Sequence, residues 1–332
     1  MTDNGASTGQ DTATGITITL ANGESMQLPP HDEFYRQLIT RNVGLVSDDE
    51  QKLLRNATIV VAGCGSIGGA VVEPLVRMGA EHLILAEPGD YDIHNLNRQS
   101  MTVRDIGRNK AEVLRDQALD INPYASIEVD TRGIVDENVV DLARKATIII
   151  DGVDVTTKPP LRMKLALHEQ AHQAHVPIIS GYDIAGLQML RIYDYRQAGT
   201  KVLDGRIRPN SPELTNPMGF LRRVVPIAAL PYEIIGELSR QLRGERAGFP
   251  QIVYTANLFG VITLPAVLDL LVNRPVRRRI IVDVPTLLRP QTSRMRVMAA
   301  RWTGLYHLNN EFRRSRKTAA TAEDAVPAAI DH

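Results

Sequence analysis

The chain has 332 residues, 43% hydrophobic and 23% charged, which is enough to bury the core of one large domain or two modest ones. Lys plus Arg and Asp plus Glu balance at 38 each, so the overall charge gives no support for nucleic-acid or membrane binding. The single cysteine, Cys64, excludes an intrachain disulfide and a zinc site built from several cysteines.

The N-terminal residues predict a flexible segment followed by a short hairpin and helices. Residues 1–15 are rich in Gly, Ser, Thr, Asn and Asp and have little to bury, so we expect a flexible tail. Ile16–Leu20 alternates apolar and polar residues before an Asn-Gly turn, which favours a hairpin. A helical pattern then runs to residue 55, with Ser47 as an N-cap and Glu50 at the capping-box position.

Three unbroken apolar runs follow, with the sequences TIVVAG, HLILAE and TIIIDG, and helical patterns separate them. Continuous hydrophobicity is typical of parallel strands that are buried on both faces. The segment VPIISGYDIAGLQMLRIYDY predicts a further pair of strands. The predicted fold is therefore α/β, a Rossmann-like and mostly parallel sheet flanked by helices. We expect a less regular C-terminal part to complete the sheet and the substrate side.

The C-terminal half is harder to interpret. No simple period survives in 205–251, and the apolar stretch after it predicts a helix that Pro265 kinks or restarts. The arginine-rich segment 274–301 predicts a solvated or phosphate-facing surface, with a nucleic-acid patch as the alternative. From residue 313 we expect a disordered tail. No leader is recognised and no apolar run approaches about 20 residues, so we expect a cytoplasmic protein that does not bind a membrane.

A glycine-rich turn follows the first of the three apolar strands. Gly63, Gly65 and Gly68 have the spacing that lets a backbone approach phosphates at the start of a helix, with Ser66 inside the loop. Glu87 ends the next strand, where a carboxylate can accept hydrogen bonds from ribose hydroxyls. These features alone leave three interpretations open: an NAD(P)-dependent oxidoreductase, another nucleotide enzyme, or a plain strand-to-helix turn.

Further polar motifs follow in order. They are the cluster Asn95-Leu96-Asn97-Arg98-Gln99, Lys110 in a Gly-x-x-Lys motif, and the strand end with Asp151 and Asp154. With these motifs the chain resembles the ThiF/MoeB/HesA and ubiquitin-activating adenylyltransferases, over roughly 33–194. The resemblance implies ATP and Mg²⁺ as cofactors and a carboxylate as the group that is activated.

The resemblance also implies roles for individual residues. Arg98 and Lys110 would place positive charge near the phosphates, and Asn95 would donate a hydrogen bond to them. Asp154 would hold Mg²⁺, Glu87 would hold the ribose, and Asp151 either ends its strand or contacts the metal or nucleotide. Arg36, with Arg41 as the alternative, would reach the ATP of a neighbouring subunit, so a homodimer is expected.

The chain departs from many members of that group because it has neither a catalytic cysteine in its second half nor Cys-x-x-Cys zinc knuckles. Cys64 lies inside the glycine loop, so we assign it no thioester role. The implied function is adenylation of a carboxylate, either the C-terminus of a carrier protein or peptide or a small acid. The acyl group then passes on without an enzyme thioester.

Two rival functions remain besides the oxidoreductase. One is a catalytically inactive partner subunit of an activating heterodimer. The other is a zinc hydrolase, since His168-Glu169-Gln170-Ala171-His172 matches the letters of an HExxH motif. The predicted organisation is a tail and hairpin over 1–31, the nucleotide-binding adenylation region over 32–195, a substrate and dimer region over 196–312, and the tail over 313–332.

Overall fold

A computed structural model describes residues 15–156, 158–245 and 250–324. The strands are β1 (Thr17–Thr19), β2 (Ser25–Gln27), β3 (Thr58–Ala62), β4 (His82–Ala86), β5 (Ser126–Asp130), β6 (Ile148–Asp151), β7 (Ile178–Ile184), β8 (Leu187–Tyr193) and β9 (Arg279–Asp283). The helices are α1 (His31–Leu38), α2 (Asp48–Asn56), α3 (Gly69–Arg77), α4 (Lys110–Leu119), α5 (Val139–Lys145), α6 (Lys158–Gln173), α7 (Pro217–Val224), α8 (Tyr232–Leu242), α9 (Val253–Leu271), α10 (Val284–Leu288) and α11 (Gln291–Asp324).

Seven strands form one sheet in the order β5-β4-β3-β6-β7-β8-β9. The first five are parallel, and β8 runs antiparallel to both of its neighbours. Residues of β3 alternate between two cores, with Val60 and Ala62 on one face and Ile59 and Val61 on the other. The prediction of a mostly parallel α/β sheet is confirmed, and β9 is the C-terminal strand that completes it.

The strand order changes direction between β3 and β6. From β3 the chain passes outward to β4 and β5, and it then returns to β6 on the opposite side of β3. In open parallel sheets, the crevice at the carboxyl ends of two such strands is where ligands bind. Gly63 follows β3 and Gly152 follows β6, so the glycine loop lies at this point.

Helices cover both faces of the sheet. One core contains residues of α3, α4 and α9, and the other contains residues of α5 to α8 and α11. Helix α9 packs against α3 so closely that a Cβ on Gly260 would lie 2.2 Å from the carbonyl oxygen of Ala70. The helix also runs through Pro265 without interruption, so the predicted restart at this proline is wrong.

One described helix, α9, is long and apolar enough to cross a membrane by length and composition alone. The expectation that no segment approaches that length is therefore wrong. Burial accounts for one side of this helix, because α9 packs against α3 and against strands β7 and β8, whereas apolar residues such as Val261 on its other side are exposed.

Several local predictions can be compared with the structure. The hairpin is present as β1 and β2, and the Ser47 and Glu50 capping box starts α2. The segment 205–251, which showed no period, contains α7 and α8. The tail expected to be disordered from residue 313 instead continues α11 to Asp324, because Arg, Lys and Ala favour helix. Residues 1–14 and 325–332 lie outside the described residues.

The arginine-rich segment is mostly bound to the protein's own surface. Arg274 pairs with Glu50, Arg289 pairs with Glu233, and Arg301 donates to the carbonyl oxygen of Leu230. None of the arginines of this segment lines the cavity described below. The prediction that this segment faces phosphate is therefore wrong for that cavity, and the alternative of a nucleic-acid patch stays a prediction.

Candidate functional site

The turn after β3 is built by backbone contacts that only glycines permit. Gly63 has a φ of +83°, and a Cβ there would lie 2.6 Å from the carbonyl oxygen of Gly152. A Cβ on Gly68 would lie 1.9 Å from the carbonyl oxygen of Gly63. Gly65 is different, because the nearest atom to its Cβ would be the Gln99 amide nitrogen at 3.9 Å. The first and third glycines therefore close the loop, and the second leaves open space for a ligand.

Glu87 links this loop to the loop after β4. One carboxylate oxygen accepts a hydrogen bond from the Cys64 backbone N–H at 2.6 Å, and the other accepts from the Gly89 backbone N–H at 2.8 Å. Each oxygen keeps a further lone pair for a ligand hydroxyl. Glu87 is thus held in a fixed position at the strand end where a ribose would lie.

Two cations and an amide enter the site from the next segments. Arg98 is half-buried and donates from Nε to Gln251 Oε1 at 2.7 Å and from Nη1 to the His94 carbonyl at 2.9 Å. Lys110 is the first residue of α4, is half-buried and faces the cavity. The Asn95 side-chain oxygen accepts from the Asp92 backbone N–H at 3.0 Å, so its NH₂ group is the part that can donate to a ligand.

The loop after β6 carries two aspartates with different environments. Asp154 lines the cavity and accepts from the Thr156 N–H at 2.8 Å and the Thr156 hydroxyl at 2.7 Å. Asp151 points the other way, is fully buried, and pairs with Lys164 at 2.6 Å. Burial raises the pKa of Asp151, but Lys164 and then His168 outweigh this and hold the pKa below its usual range.

Asp151 therefore does not contact a nucleotide or metal directly, and the alternative that it does is wrong. Its Oδ1 accepts from the Val153 backbone N–H at 3.2 Å, and its Oδ2 accepts from the Ser180 hydroxyl at 2.6 Å. The buried Asp151 and Lys164 pair thus fixes the backbone that presents Asp154.

These groups line a cavity of about 710 Å³ at the carboxyl ends of β3, β4, β6 and β7. Eight of the ten predicted site residues line it: Gly63, Gly65, Ser66, Glu87, Asn95, Arg98, Lys110 and Asp154. Gly68 lies behind the loop and supports it. Arg36 does not line the cavity; its side chain is 68% exposed and pairs with Glu33 on α1. Arg41 is also exposed and outside the cavity.

Three polar cavity residues received no role in the sequence analysis, although Gln99 belongs to the cluster named there. Asp183 lies at the carboxyl end of β7; burial raises its pKa to about 7, although the Ser66 hydroxyl and the Arg98 charge oppose the shift. Gln99 has a buried side-chain oxygen with no hydrogen-bond partner among the described residues. Gln251 binds Arg98 and lies 3.4 Å from the Ser66 hydroxyl. An acid after a buried strand was a usable signal for Asp183, whereas no motif marks Gln251.

Comparisons with known proteins agree with this geometry. The sequence pattern of the ThiF family matches residues 37–230, which is more than half of the chain. The chain belongs to the ThiF family. The match includes the glycine loop, both cations and Asp154, and it ends at Leu230, just before α8.

Two curated relatives show the range of functions in this family. The chain is 27% identical over 159 residues to tRNA threonylcarbamoyladenosine dehydratase 1 of Saccharomyces cerevisiae, covering 46% of this chain and 36% of that protein. It is 30% identical over 124 residues to the sulfur carrier protein adenylyltransferase of Thermus thermophilus, covering 37% of this chain and 45% of that protein. The chain thus matches less than half the length of each relative.

Solved structures share the fold at low identity. The crystal structure of PaaA has a TM-score of 0.55 and 16% identity, over 76% of this chain and 79% of that one. The crystal structure of Escherichia coli MccB with ATP has a TM-score of 0.53 and 19% identity, over 71% of this chain and 63% of that one. These similarities establish the fold.

The structure also decides between alternatives for two reactive side chains. Both ring nitrogens of His168 are occupied, by Tyr195 at 2.7 Å and Asp151 at 3.0 Å, and His172 is exposed. The HExxH letters therefore do not form a zinc site.

Cys64 is fully buried, and burial raises the pKa of its thiol well above the usual value, so a thiolate is disfavoured there.

Proposed function

We propose that this chain is an ATP-dependent adenylyltransferase that activates a carboxylate as an acyl-AMP. A carboxylate oxygen attacks the α-phosphorus of ATP, the bond to the β-phosphate oxygen breaks, and pyrophosphate leaves. The reaction brings an anion onto a polyanion, so it requires fixed positive charge near the α-phosphate and the leaving group.

The observation that carries this proposal is the convergence of Arg98, Lys110 and Asp154 on the cavity that the glycine loop opens. A dinucleotide oxidoreductase requires the glycine loop and Glu87, but it does not require two cations and an acid opposite them. The same set favours an active enzyme over an inactive partner subunit, because these residues act on phosphate and metal.

The carboxylate of Asp154 suits a magnesium ion that binds together with ATP. Mg²⁺ prefers one or two carboxylates together with phosphate oxygens and water. Asp154 supplies one such carboxylate at the cavity wall, and no group of three or more metal-binding side chains occurs among the described residues. When bound, the ion would neutralise charge on the phosphates. Asp154 would hold it on the side of β6, and Thr156 would hold Asp154.

The acyl-AMP would pass to an acceptor that is not a thiol of this chain. Cys64 is the only cysteine of the sequence, and it is buried beneath the glycine loop with a raised pKa. The acyl group would therefore pass from the adenylate directly to its acceptor, without forming a thioester on this chain.

We further propose that the active unit is a homodimer in which Arg36 of a second copy completes the phosphate site. The exposed position of Arg36 on α1, outside the cavity of its own chain, is consistent with this role. An arginine that enters from a neighbouring subunit would add charge where pyrophosphate leaves.

The test is ATP–pyrophosphate exchange with wild type, Lys110→Ala and Asp154→Asn, screened over carboxylic acids and carboxyl-terminal peptides. Both variants should lose at least about a hundredfold in exchange, as expected for removal of a group that binds the reacting phosphates. Lys145→Ala is the matched control, because Lys145 lies on α5 and pairs with Asp141 away from the cavity.

A binding measurement separates the nucleotide classes. Mg·ATP should raise the melting temperature of the wild type more than NAD or NADP does, and Lys110→Ala should reduce that rise. Stronger stabilisation by NAD than by ATP would contradict the adenylation proposal.

A further inference from the structure

The cavity has two parts with different chemistry. The part next to the glycine loop carries Glu87, Arg98, Lys110 and Asp154. The second part lies beyond the ends of β6 and β7. Its wall is made mainly by helices α6, α7, α8 and α11, through Met163, Met218, Leu221, Ile234, Leu238 and Phe312. We refer to this second part, defined by these six residues, as the apolar chamber.

The chamber is enclosed by the hydrophobic core. Ile234, Leu238 and Phe312 are nearly fully buried, and they belong to the same core as the buried residues of α5 and α6. Arg222 is the one charged residue that α7 and α8 contribute among the described cavity residues, and its guanidinium stacks 4.5 Å from the centre of the Phe312 ring. Apart from Arg222, the helices that form the chamber present side-chain hydrocarbon and methionine sulfur to a ligand.

An apolar wall favours small apolar acids over the C-termini of peptides as ligands. A peptide C-terminus carries an N–H and a C=O at every residue, and each costs free energy if it is buried without a partner. A hydrocarbon chain has no such groups and gains free energy with each buried methylene. An extended peptide tail fits this chamber poorly, whereas an aliphatic or aromatic acid fits it well.

The junction of the two parts is suited to receive the carboxylate. Asp183 lines the cavity at the carboxyl end of β7, close enough to Arg98 to interact with its charge. Because burial raises the pKa of Asp183 to about 7, its carboxyl group still carries a proton in about half of the molecules at pH 7, and it repels an incoming carboxylate less than a fully ionised acid would. The anionic head would face Arg98 and the α-phosphate, and the tail would face the chamber.

We propose that the carboxylate activated by this enzyme belongs to a small, largely apolar acid whose chain occupies the apolar chamber. The proposal rests on the adenylation function given above and names its substrate class. It assigns the chamber to substrate selection and excludes the C-terminal tail of a carrier protein from the chamber.

The test uses ATP–pyrophosphate exchange with acetate, butyrate, hexanoate, octanoate and benzoate, and with the peptide Ala-Gly-Gly. The apparent KM should fall about threefold to fourfold per methylene until the chamber is full. Met218→Trp should fill the chamber and raise the KM for hexanoate at least about tenfold, while the stabilisation by Mg·ATP is retained. Met295→Trp is the matched control, because Met295 is exposed on α11 and outside the cavity.

A second variant, Met218→Ala, tests the same position in case Met218→Trp does not fold. Met218→Ala should enlarge the chamber and shift the preferred acid to a longer chain. A binding experiment without chemistry, octanoate titrated into the protein in the presence of a nonhydrolysable ATP analogue, separates the two proposals. Octanoate binding that Met218→Trp abolishes, without exchange for any acid, would support the chamber and refute adenylation.

Two positive results would overturn the chamber proposal, and one negative result would do so as well. One is exchange with Ala-Gly-Gly that exceeds exchange with every apolar acid. The other is octanoate binding or exchange that Met218→Trp leaves unchanged while the variant remains folded. Absence of both octanoate binding and exchange, with Mg·ATP still stabilising the protein, would also refute it.

Discussion

The raised pKa of Asp183 should make the stability of this protein fall as the pH rises. Its carboxyl group is buried between Ser66, Arg98 and Gln188, and it has a pKa of about 7, whereas an unfolded aspartate has a pKa of about 3.9. Between these values the folded state keeps a proton that the unfolded state has released. The folded state binds more protons, so the free energy of unfolding decreases with pH.

The magnitude follows from the two pKa values. Each pH unit between them changes the free energy of unfolding by about 1.4 kcal/mol, so the Asp183 contribution should decline by about 2–3 kcal/mol from pH 5 to pH 8. Asp183→Asn removes the titration and keeps the shape of the side chain. The wild type should therefore lose 2–3 kcal/mol more than Asp183→Asn over this range, by about the same estimate.

The assay is urea unfolding at pH 5, 6, 7 and 8, followed by circular dichroism, with wild type and variant compared at each pH. Other groups titrate in both proteins, so the difference between the two profiles isolates Asp183. Asp136→Asn, at an exposed carboxylate, is the control and should run parallel to the wild type. Parallel profiles for wild type and Asp183→Asn would refute the reasoning.

Three further predictions concern other residues. Cys64→Ala should retain pyrophosphate exchange within about tenfold, which is about 1.4 kcal/mol of barrier, and a reducible acyl adduct lost in this variant would contradict it. Arg36→Ala and Asp154→Ala, each inactive alone, should regain part of the exchange activity when their subunits are mixed; proven mixed dimers without activity would place the arginine elsewhere. Lys164→Met should lower the free energy of unfolding by about 3–5 kcal/mol, since it leaves Asp151 charged and buried; a loss below about 1 kcal/mol in urea unfolding would count against this role.

The similarities limit what the family alone says about substrate. The N-terminal part of the fold, with the glycine loop and both cations, is what the ThiF family match covers. Half of the residues that define the apolar chamber, Ile234, Leu238 and Phe312, lie on α8 and α11, beyond residue 230, where the match ends. Substrate selection can thus differ between members that share the same phosphate chemistry.

Local sequence patterns determined the sheet and most of the phosphate site. Unbroken apolar runs favour strands buried on both faces, and motif spacing pointed to Gly65 and Glu87 at the ends of two of them. The family resemblance, carried by short motifs in the chain, added Arg98 and Lys110.

Tertiary structure alone decided which distant residues share the cavity. Asp151 and Asp154 are three residues apart, yet one ends β6 and is buried against Lys164, and the other follows Gly152 and lines the cavity. Gln251 reaches Arg98 across 153 positions, and no local pattern encodes that contact. The chamber likewise exists because residues of α6, α7, α8 and α11 come together in one hydrophobic core, where α11 packs against α8. Hydrophobic patterning predicts that such helices are buried, but only packing determines the space they leave between them.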